Sequence, residues 1–344
     1  MIRFNCDYSE GAHPKILKKL IETNLDQTPG YGQDEYCFKA ADIIKNQCKD
    51  NDIDVHFLVG GTQVNLTVIS AALRPHQGVI SASTGHVNVH ESGAIEATGH
   101  KVLSIESMDG KLTASQVQNL YDAHFGDDTH EHMVQPKLVY ISQPTELGSI
   151  YKKAELEEIY NVCKKNGLIL YIDGARLGCA LCAEDNDLTL ADITKLCDAF
   201  YIGGTKNGLL FGEALVISNK ALKEDFRYLM KQKGGLLAKG RLLGVQYLAA
   251  FEDDLFFEMA DHADKMAKLI KEACIKKGYS FVTPSTTNQQ FVIMPDSILA
   301  KLNKEFEYAY IQRIDDKTSA VRFCTSWATN EEDVKKLVSA IEQA

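Results

Sequence analysis

The 344-residue chain has little of what would place it in a membrane, on nucleic acid or outside the cell. It contains no run of 18 apolar residues, so we expect no transmembrane helix. Its formal charge is −10 and it has no basic block, which argues against nucleic acid or an anionic membrane surface as a partner. With only seven prolines and no low-complexity segment, it is not expected to be disordered beyond its ends.

A secretory signal core and a metal-binding pattern are also missing. The first residues lack an apolar stretch, and the nine cysteines are scattered and odd in number. This pattern favours reduced thiols in a cytoplasmic protein. The CxxC at Cys179 and Cys182 has no second pair, and His86 and His90 do not belong to an HExxH sequence, so no metal site is expected.

Short runs of apolar, β-forming residues recur through the first two thirds of the chain. They lie at residues 55–59, 78–81, 101–104, 137–141, 168–172, 199–203 and 214–217. They show no clean alternation of polar and apolar residues, as is typical of buried parallel strands. Helical patterns lie between several of them, for example at 62–73 and 153–166. The sequence therefore predicts an α/β domain with a mainly parallel central sheet.

The pattern changes after about residue 235. A long helix-compatible stretch runs to about residue 277, and a last helix is predicted over 331–343. Strand-like segments lie between them, at 279–282, 290–294, 308–312 and 320–325. We therefore expect an N-terminal arm (1–14), a large α/β domain (15–245) and a smaller C-terminal α+β domain (246–344).

The sharpest local signal is a lysine just beyond a buried strand. Residues 199–203 are followed by Gly204, Thr205, Lys206, Asn207 and Gly208. Open α/β sheets bind ligands at the carboxyl ends of their strands, where glycines allow close approach of the backbone. Burial there would leave the Lys206 amine neutral and nucleophilic, as a Schiff base requires. A solvated loop lysine is the alternative.

A second signal is the acidic residue that ends the preceding strand. Asp173 follows the apolar run 168–172, and Arg176 lies three residues on. A buried carboxylate needs a partner, and a protonated pyridine nitrogen is a suitable one. The alternative is an aspartate that caps a helix beginning at Gly174.

A third signal is the turn Gly60-Gly61-Thr62, directly after a strand and at the start of a helix. Free N–H groups and the helix dipole make such a turn an anion site, although an ordinary helix cap would look the same. Together, a phosphate site, a strand-end Asp173 and a strand-end Lys206 match a molecule that has a phosphate, a basic ring nitrogen and an aldehyde. That molecule is pyridoxal 5′-phosphate.

Three other residues suit a substrate or the ring of this cofactor. His86, between two predicted strands, could stack on a pyridine ring. Tyr31 lies in a loop after Pro29-Gly30 and could contact substrate. Arg322 interrupts an apolar strand, so either a substrate carboxylate pairs with it or it lies on a solvated edge.

With these residues, the chain resembles the low-specificity L-threonine aldolase family. This family belongs to the fold-type-I β-eliminating lyase and aldolase group of pyridoxal phosphate enzymes. The resemblance extends nearly from end to end. It is carried by residues 4–7, 11–14, 31–35, 60–65, 85–91, 143–148, 173–177, 203–208 and 321–327. It implies a fold-type-I architecture and the cleavage of a β-hydroxy-α-amino acid, such as threonine or allo-threonine, to glycine and an aldehyde.

The resemblance also implies roles for individual residues. Lys206 would bond to the cofactor's aldehyde, Asp173 would hold the ring nitrogen and His86 would stack on the ring. Gly61 and Thr62 would bind the phosphate.

Further positions follow from the same resemblance. Thr205 and Arg176 would also contact the cofactor. Arg322 would take the substrate carboxylate, with Arg176, Cys6 and Tyr31 at the substrate end. The family implies a homodimer or homotetramer with active sites at the subunit interface. A basic residue from the other subunit would reach the phosphate there, and Lys233, Lys239 and Arg241 are the candidates.

Two departures from the family pattern concern the chemistry. Cys6 stands where many members have a serine, and Glu146 occupies the place of a histidine that is proposed to help deprotonate the β-hydroxyl group. The base is therefore Glu146, His86 or a bound water. β-Elimination or amino-group transfer is the alternative chemistry, and a non-catalytic binding protein is a remote one.

Overall fold

The computed structural model describes residues 1–343, which contain thirteen strands and fourteen α-helices. The strands are β1 (Ile2–Arg3), β2 (Asp54–Leu58), β3 (Gln77–Ala82), β4 (Val102–Ile105), β5 (Gln135–Ser142), β6 (Ile169–Asp173), β7 (Ala199–Gly203), β8 (Glu213–Ile217), β9 (Ser280–Phe281), β10 (Gln289–Pro295), β11 (Phe306–Glu307), β12 (Ala309–Arg313) and β13 (Thr318–Cys324).

The helices cover both faces of the large sheet and one face of the smaller one. They are α1 (Pro14–Glu22), α2 (Glu35–Cys48), α3 (Gly61–Ala72), α4 (His86–Val89), α5 (Ala114–Phe125), α6 (Lys153–Lys165), α7 (Leu177–Cys182), α8 (Leu190–Lys195), α9 (Lys220–Lys223), α10 (Phe226–Gln232), α11 (Arg241–Phe251), α12 (Leu255–Lys276), α13 (Asp296–Leu302) and α14 (Glu331–Gln343). None of the helices within residues 1–343 combines the length and apolar character that crossing a membrane requires.

The central sheet has seven strands in the order β2-β8-β7-β6-β5-β3-β4. Neighbours from β7 to β4 pair in parallel, and β8 alone runs antiparallel to both strands beside it. The predicted α/β class with a mainly parallel sheet is therefore confirmed. The carboxyl ends of β6 and β7 meet at one edge of the sheet, beside the start of α3, which directly follows β2.

Side chains from one strand enter two different cores, one on each face of the central sheet. In β7, Phe200 and Ile202 pack on one face, while Tyr201 packs with β6 and α3 on the other. Every residue of β3, β7 and β8 is buried. Burial on both faces explains why these runs show no polar alternation, since each face demands apolar side chains.

A smaller antiparallel sheet, in the order β12-β13-β10-β9, lies at the C-terminal end of the chain. Its core includes Phe4 from the N-terminal segment, and β1 pairs in parallel with β11. The beginning of α12 packs in the large core and its second half in the small one. All of α11 from Tyr247 onward also packs in the large core, so the predicted division at residue 245 falls within that helix. The three-part division stays a prediction.

Two glycines allow the backbones at the ends of β6 and β7 to approach each other closely beside Asp173. A Cβ atom on Gly174 would lie 1.8 Å from the Tyr201 carbonyl oxygen, and one on Gly203 would lie 2.3 Å from that of Ala175. Their own backbones bond there, because the Gly203 N–H donates to the Gly174 carbonyl at 2.9 Å. Backbone atoms cannot move aside as a flexible side chain can.

We therefore expect Gly174→Ala to lower the free energy of unfolding by about 3 kcal/mol or more, through overpacking. Gly60→Ala is the matched control, because a Cβ there would meet nothing within 4 Å. It should cost less than about 1 kcal/mol. Denaturant unfolding of both variants measures the difference, and similar losses would contradict the close approach described here.

Candidate active site

A cavity of about 260 Å³ lies where β6 and β7 end and α3 begins. Its lining includes eight of the predicted site residues: Gly61, Thr62, His86, Glu146, Asp173, Arg176, Thr205 and Lys206. Asn65, Ser142, Tyr201 and Glu213 line it as well. The three sequence signals therefore converge on a single cavity.

Asp173 is a buried carboxylate that is surrounded by donors. Its Oδ2 accepts the Tyr140 hydroxyl at 2.7 Å and the Asn65 amide at 3.1 Å. Its Oδ1 accepts the Tyr201 hydroxyl and the Ala175 N–H. No Lys, Arg or His nitrogen of residues 1–343 forms an ion pair with it. The carboxylate of Asp173 thus accepts four hydrogen bonds, but it has no cationic partner in this buried position.

A hydrogen-bonded chain joins Asp173 to the imidazole of His86. The side-chain NH2 of Asn65 donates to Asp173 and, at 2.6 Å, to Glu91 Oε1. The Tyr171 hydroxyl donates to the side-chain oxygen of Asn65. His86 Nδ1 lies 2.8 Å from the same Glu91 oxygen. Because a carboxylate only accepts, His86 donates from Nδ1 and has Nε2 free for other contacts. Glu91 thus orients the predicted stacking residue.

The N-terminus of α3 presents donors without acceptors. Gly60 is its cap and contributes no side-chain hydrogen bond, so the N–H groups of residues 61–63 have no acceptor within residues 1–343. Gln63 steadies this turn by accepting the Val59 N–H and donating to the Lys233 carbonyl. A helix of 12 residues with a bare N-terminus that faces a cavity is an anion site.

Lys206 follows β7 in a turn that is fixed by backbone bonds. The N–H groups of Gly204 and Thr205 both donate to the Gly212 carbonyl, and the Gly212 N–H donates to the Thr205 hydroxyl. Burial lowers the pKa of Lys206, and the charge of Arg176 adds to this, against the opposing effects of Asp7, Asp173 and Glu213. A larger fraction of the amine is therefore neutral than in a solvated lysine.

Arg176 is paired with Asp7 in a buried, bidentate ion pair. Its Nε and Nη2 lie 2.6 and 3.0 Å from the two carboxylate oxygens, and Asn288 donates to Asp7 at 2.9 Å. Burial alone would raise the pKa of Asp7, but Arg176 and Lys206 lower it to about 2. The charge of Arg176 is thus already balanced within the chain, and the pair fastens the N-terminal segment to both sheets.

Arg322 lies in β13 and is not part of the cavity lining. Its guanidinium donates to the Gln289 side chain at 3.0 Å and to the Asn5 carbonyl at 2.9 Å, and its buried Nε has no partner within residues 1–343. It also acts on His90, whose pKa is lowered by burial and by the charges of His86, Arg322 and Lys206. Unlike Arg176, this cation has only neutral partners.

Glu146 is held against the turn that begins α4. Its Oε1 accepts the backbone N–H of His86 at 2.8 Å and the Ser142 hydroxyl at 2.7 Å. Burial raises the pKa of this carboxyl group, although both donors partly oppose the shift. Glu146 is therefore a fixed carboxyl group beside His86, with a proton affinity above that of a solvated glutamate.

Two further predicted substrate residues, besides Arg322, lie outside the cavity lining. Cys6 contacts Ser9 at 3.2 Å, next to the Asp7–Arg176 pair. Tyr31 is half exposed in a second cavity, with Lys231 over its ring at 4.8 Å. Of the three basic candidates for a neighbouring phosphate, Arg241 donates to the Thr23 and Asn24 carbonyls, whereas Lys233 lies next to the α3 turn through its own carbonyl. The roles of these residues stay predictions.

The family model described as "Beta-eliminating lyase" matches residues 7–297, which include every cavity residue described above. This chain belongs to the β-eliminating lyase family. The "Low specificity L-threonine aldolase" of Pseudomonas aeruginosa is 32% identical over 98% of this chain and 96% of its own length. The resemblance predicted from the sequence is thereby confirmed.

Solved structures agree with this membership. A threonine aldolase from Leishmania major has a TM-score of 0.97 and 48% identity, covering 100% of this chain and 99% of its own. An aspartate aminotransferase from Thermus thermophilus, at 14% identity, has a TM-score of 0.71 over 100% of this chain and 91% of its own. The second likeness shows the fold alone, and it confirms the predicted fold-type-I architecture.

Pyridoxal 5′-phosphate, the cofactor of this family's lyases, fits the donor set of the cavity. Asp173 lacks a cationic partner, which a protonated ring nitrogen would supply. The bare N–H groups at α3 suit a phosphate, and the Lys206 amine lies in the same cavity. The predicted enzyme class, a pyridoxal phosphate-dependent lyase, is confirmed together with the cofactor.

Proposed function

We propose that this chain is an aldolase that cleaves a β-hydroxy-α-amino acid, of the threonine or allo-threonine type, to glycine and an aldehyde. The observation that carries the proposal is the meeting of Lys206, Asp173 and the bare N-terminus of α3 in one cavity. The names of relatives that match almost the whole chain support the reaction. In it, the Cα–Cβ bond breaks, the β-hydroxyl group loses its proton and Cα gains one.

The bound cofactor supplies an electron sink for the charge left at Cα. Lys206 would provide the amine that holds the cofactor. Asp173, fixed by its four donors, would hold the ring nitrogen. His86, oriented by Glu91, offers its ring for stacking and Nε2 for a proton.

Arg322 is the residue we assign to the substrate carboxylate. It carries a positive charge with only neutral acceptors and has a buried Nε without a partner, so a carboxylate improves its surroundings. Arg176 is already neutralised by Asp7. We therefore propose that Arg176 shapes the cavity and acts on Lys206 through its charge, rather than pairing with substrate.

Glu146 is the base that we propose for the β-hydroxyl proton. Its position beside His86, the two hydrogen bonds that fix Oε1 and its raised pKa suit a proton acceptor near neutral pH. His86 and a bound water remain the competing acceptors, because both can lie in the same part of the cavity.

We expect Glu146→Gln to lower kcat/KM for L-threonine by about 10²- to 10⁴-fold, the usual contribution of a general base. The wild-type rate should fall as the pH is lowered through the raised pKa of Glu146, because the protonated carboxyl group cannot accept a proton. The variant should lack this acidic limb. A pH–rate profile of both proteins tests whether Glu146 is the base. If Glu146→Gln kept the same fall in rate at acidic pH, His86 or a bound water would be the base instead.

Product analysis separates the aldolase from the other functions. The protein, loaded with cofactor, is incubated with L-threonine, L-allo-threonine and L-serine. Acetaldehyde and glycine from the first two would support the proposal. Keto acid and ammonia would indicate β-elimination, and transfer of the amino group to an added keto acid would indicate an aminotransferase. No product from any of them would leave a binding protein as the function.

We also propose that the active form is a homodimer or homotetramer in a reducing, cytoplasmic compartment. Large apolar side chains are exposed on α1, α2 and the segments beside them: Leu17, Ile21, Leu25, Tyr31, Phe38 and Tyr228. Such a patch is typical of a subunit interface. Light scattering of the purified protein tests the assembly, and a monomer of 38.2 kDa would contradict it.

The nine free cysteines support a reducing compartment, in which thiols stay unpaired.

A further inference from the structure

Glu213 is a buried acidic residue of the cavity that the proposed reaction does not use. It is the first residue of β8 and pairs with Gly203 of β7 on one side and with Leu58 of β2 on the other. Leu215, two residues on, packs in the same core as α3. Because side chains alternate along a strand, Glu213 faces the α3 side of the sheet, at the edge where α3 begins.

The surroundings of Glu213 contain hydrogen-bond partners but no ion pair. Its Oε2 accepts the N–H of Gly204 at 3.1 Å, and the Thr205 hydroxyl lies beside it. It is only 4% exposed, and within residues 1–343 it forms no salt bridge. The titratable groups that interact with it are Lys206, Asp173, Tyr201, Tyr171 and Tyr247, and α3 has no ionisable side chain.

We propose that Glu213 binds the cofactor's phosphate group as a neutral carboxylic acid, and that the protein consequently weakens its hold on the phosphate in alkaline solution. One carboxyl oxygen accepts the Gly204 N–H, and the other carries the proton that is donated to a phosphate oxygen. The proposal rests on the function proposed above, because it requires a phosphate at the N-terminus of α3.

The charges at this end of the cavity favour the neutral form. An ionised Glu213 would be a buried anion without a salt bridge, next to a site built for another anion, and both desolvation and repulsion disfavour it. The one nearby cation that could offset its charge is Lys206, whose own pKa is lowered by burial. Burial raises the pKa of Glu213 to about 8, while Thr205 and Lys206 oppose the shift only in part. The carboxyl group is therefore mostly protonated at neutral pH and loses its proton above about pH 8.

If the phosphate group binds better to the protonated form of Glu213, the protein's affinity for that group must fall as Glu213 loses its proton. The phosphate is itself a dianion above about pH 7, because its second pKa is about 6, so it adds no change of its own. By linkage, the affinity for the phosphate group should fall by up to about tenfold per pH unit above about pH 8.

The test compares pyridoxine 5′-phosphate with pyridoxine, on the full chain freed of its cofactor. Both ligands share the ring and lack the aldehyde, so the ratio of their dissociation constants isolates the phosphate. The ratio is measured by calorimetry from about pH 7 to about 9.5. Three variants accompany the wild type: Glu213→Gln, which keeps an acceptor and a donor without ionising; Glu213→Ala, which keeps neither; and the control Glu146→Gln, on the His86 side of the cavity.

The preference for the phosphorylated ligand should fall about tenfold per pH unit above about pH 8 in the wild type and in Glu146→Gln. In Glu213→Gln this preference should not change with pH. In Glu213→Ala it should also not change with pH, but it should be lower than in Glu213→Gln at every pH. A level ratio in the wild type, or the same fall in Glu213→Gln, would overturn this inference and leave the proposed function intact. Failure of wild type to bind either ligand would overturn both.

Discussion

Lys206→Ala is expected to lose the absorbance of lysine-bound cofactor and to lower turnover by about 10⁴-fold or more. Lys206 is the lysine in the cavity lining, and burial together with Arg176 lowers its pKa, so its amine is the available nucleophile there. No other residue of that lining carries a primary amine. Absorption spectra and initial rates with L-threonine measure the effect.

The matched control for this variant is Lys206→Arg, which keeps a positive charge but forms no stable covalent bond with an aldehyde. Both variants should unfold at about the temperature of the wild type without cofactor, since a desolvated amine adds little to stability. A spectrum and a rate like those of the wild type in Lys206→Ala would refute the assignment of this residue.

Asp173→Asn is expected to lower turnover by roughly 10³-fold, about 4 kcal/mol of barrier, because the negative charge opposite the ring nitrogen is lost. An asparagine also fails to accept all four donors that Asp173 accepts. Its amide NH2 must face either Tyr140 and Asn65 or Tyr201 and the Ala175 N–H. We therefore expect lower stability as well, by about 1–3 kcal/mol for a donor left without an acceptor.

Asp198→Asn separates the two effects. Asp198 is equally buried and is paired with Lys164, but it lies at the start of β7, away from the cavity. Its loss should reduce stability and leave kcat per folded molecule unchanged. Asp173→Glu, which keeps the charge, should recover part of the rate. If Asp173→Asn and Asp198→Asn changed kcat alike, the role of Asp173 would be structural only.

The sequence predicted the framework of the site because its signals were local. The apolar run 199–203 coincides with β7, and the glycines and lysine beyond it mark a strand end at which a ligand binds. Once the sheet is parallel, the ends of β6 and β7 must lie at one edge, so Asp173 and Lys206 come together from topology alone. The predicted helix 331–343 also coincides with α14.

The partners of these residues could not be predicted, because they come from distant segments. Tyr140 and Tyr201 stand in apolar runs, where a tyrosine resembles any other β-forming core residue. Only the packing of three strands shows that both hydroxyl groups point at Asp173. The partner of Arg176 is likewise 169 positions away, at Asp7, in a pairing that no local pattern indicates.

Glu91 and Glu213 are site residues that the sequence signals only weakly, as acidic residues in buried positions. Each is an acidic residue with almost no exposure, and Glu213 directly precedes the apolar run 214–217. A charged residue at the start of a buried strand is costly unless it has a role, so its position predicts a site contact. Which contact it makes, with the Gly204 N–H beside Lys206, depends on the pairing of β7 with β8.

We propose that the amine of Lys206 holds the cofactor. To test this bond, the purified protein is loaded with pyridoxal 5′-phosphate, reduced with borohydride and digested, and the labelled peptide is mapped by mass spectrometry. We expect one stoichiometric label, on Lys206. A protein that stays unlabelled, or carries its label on another lysine, would contradict it.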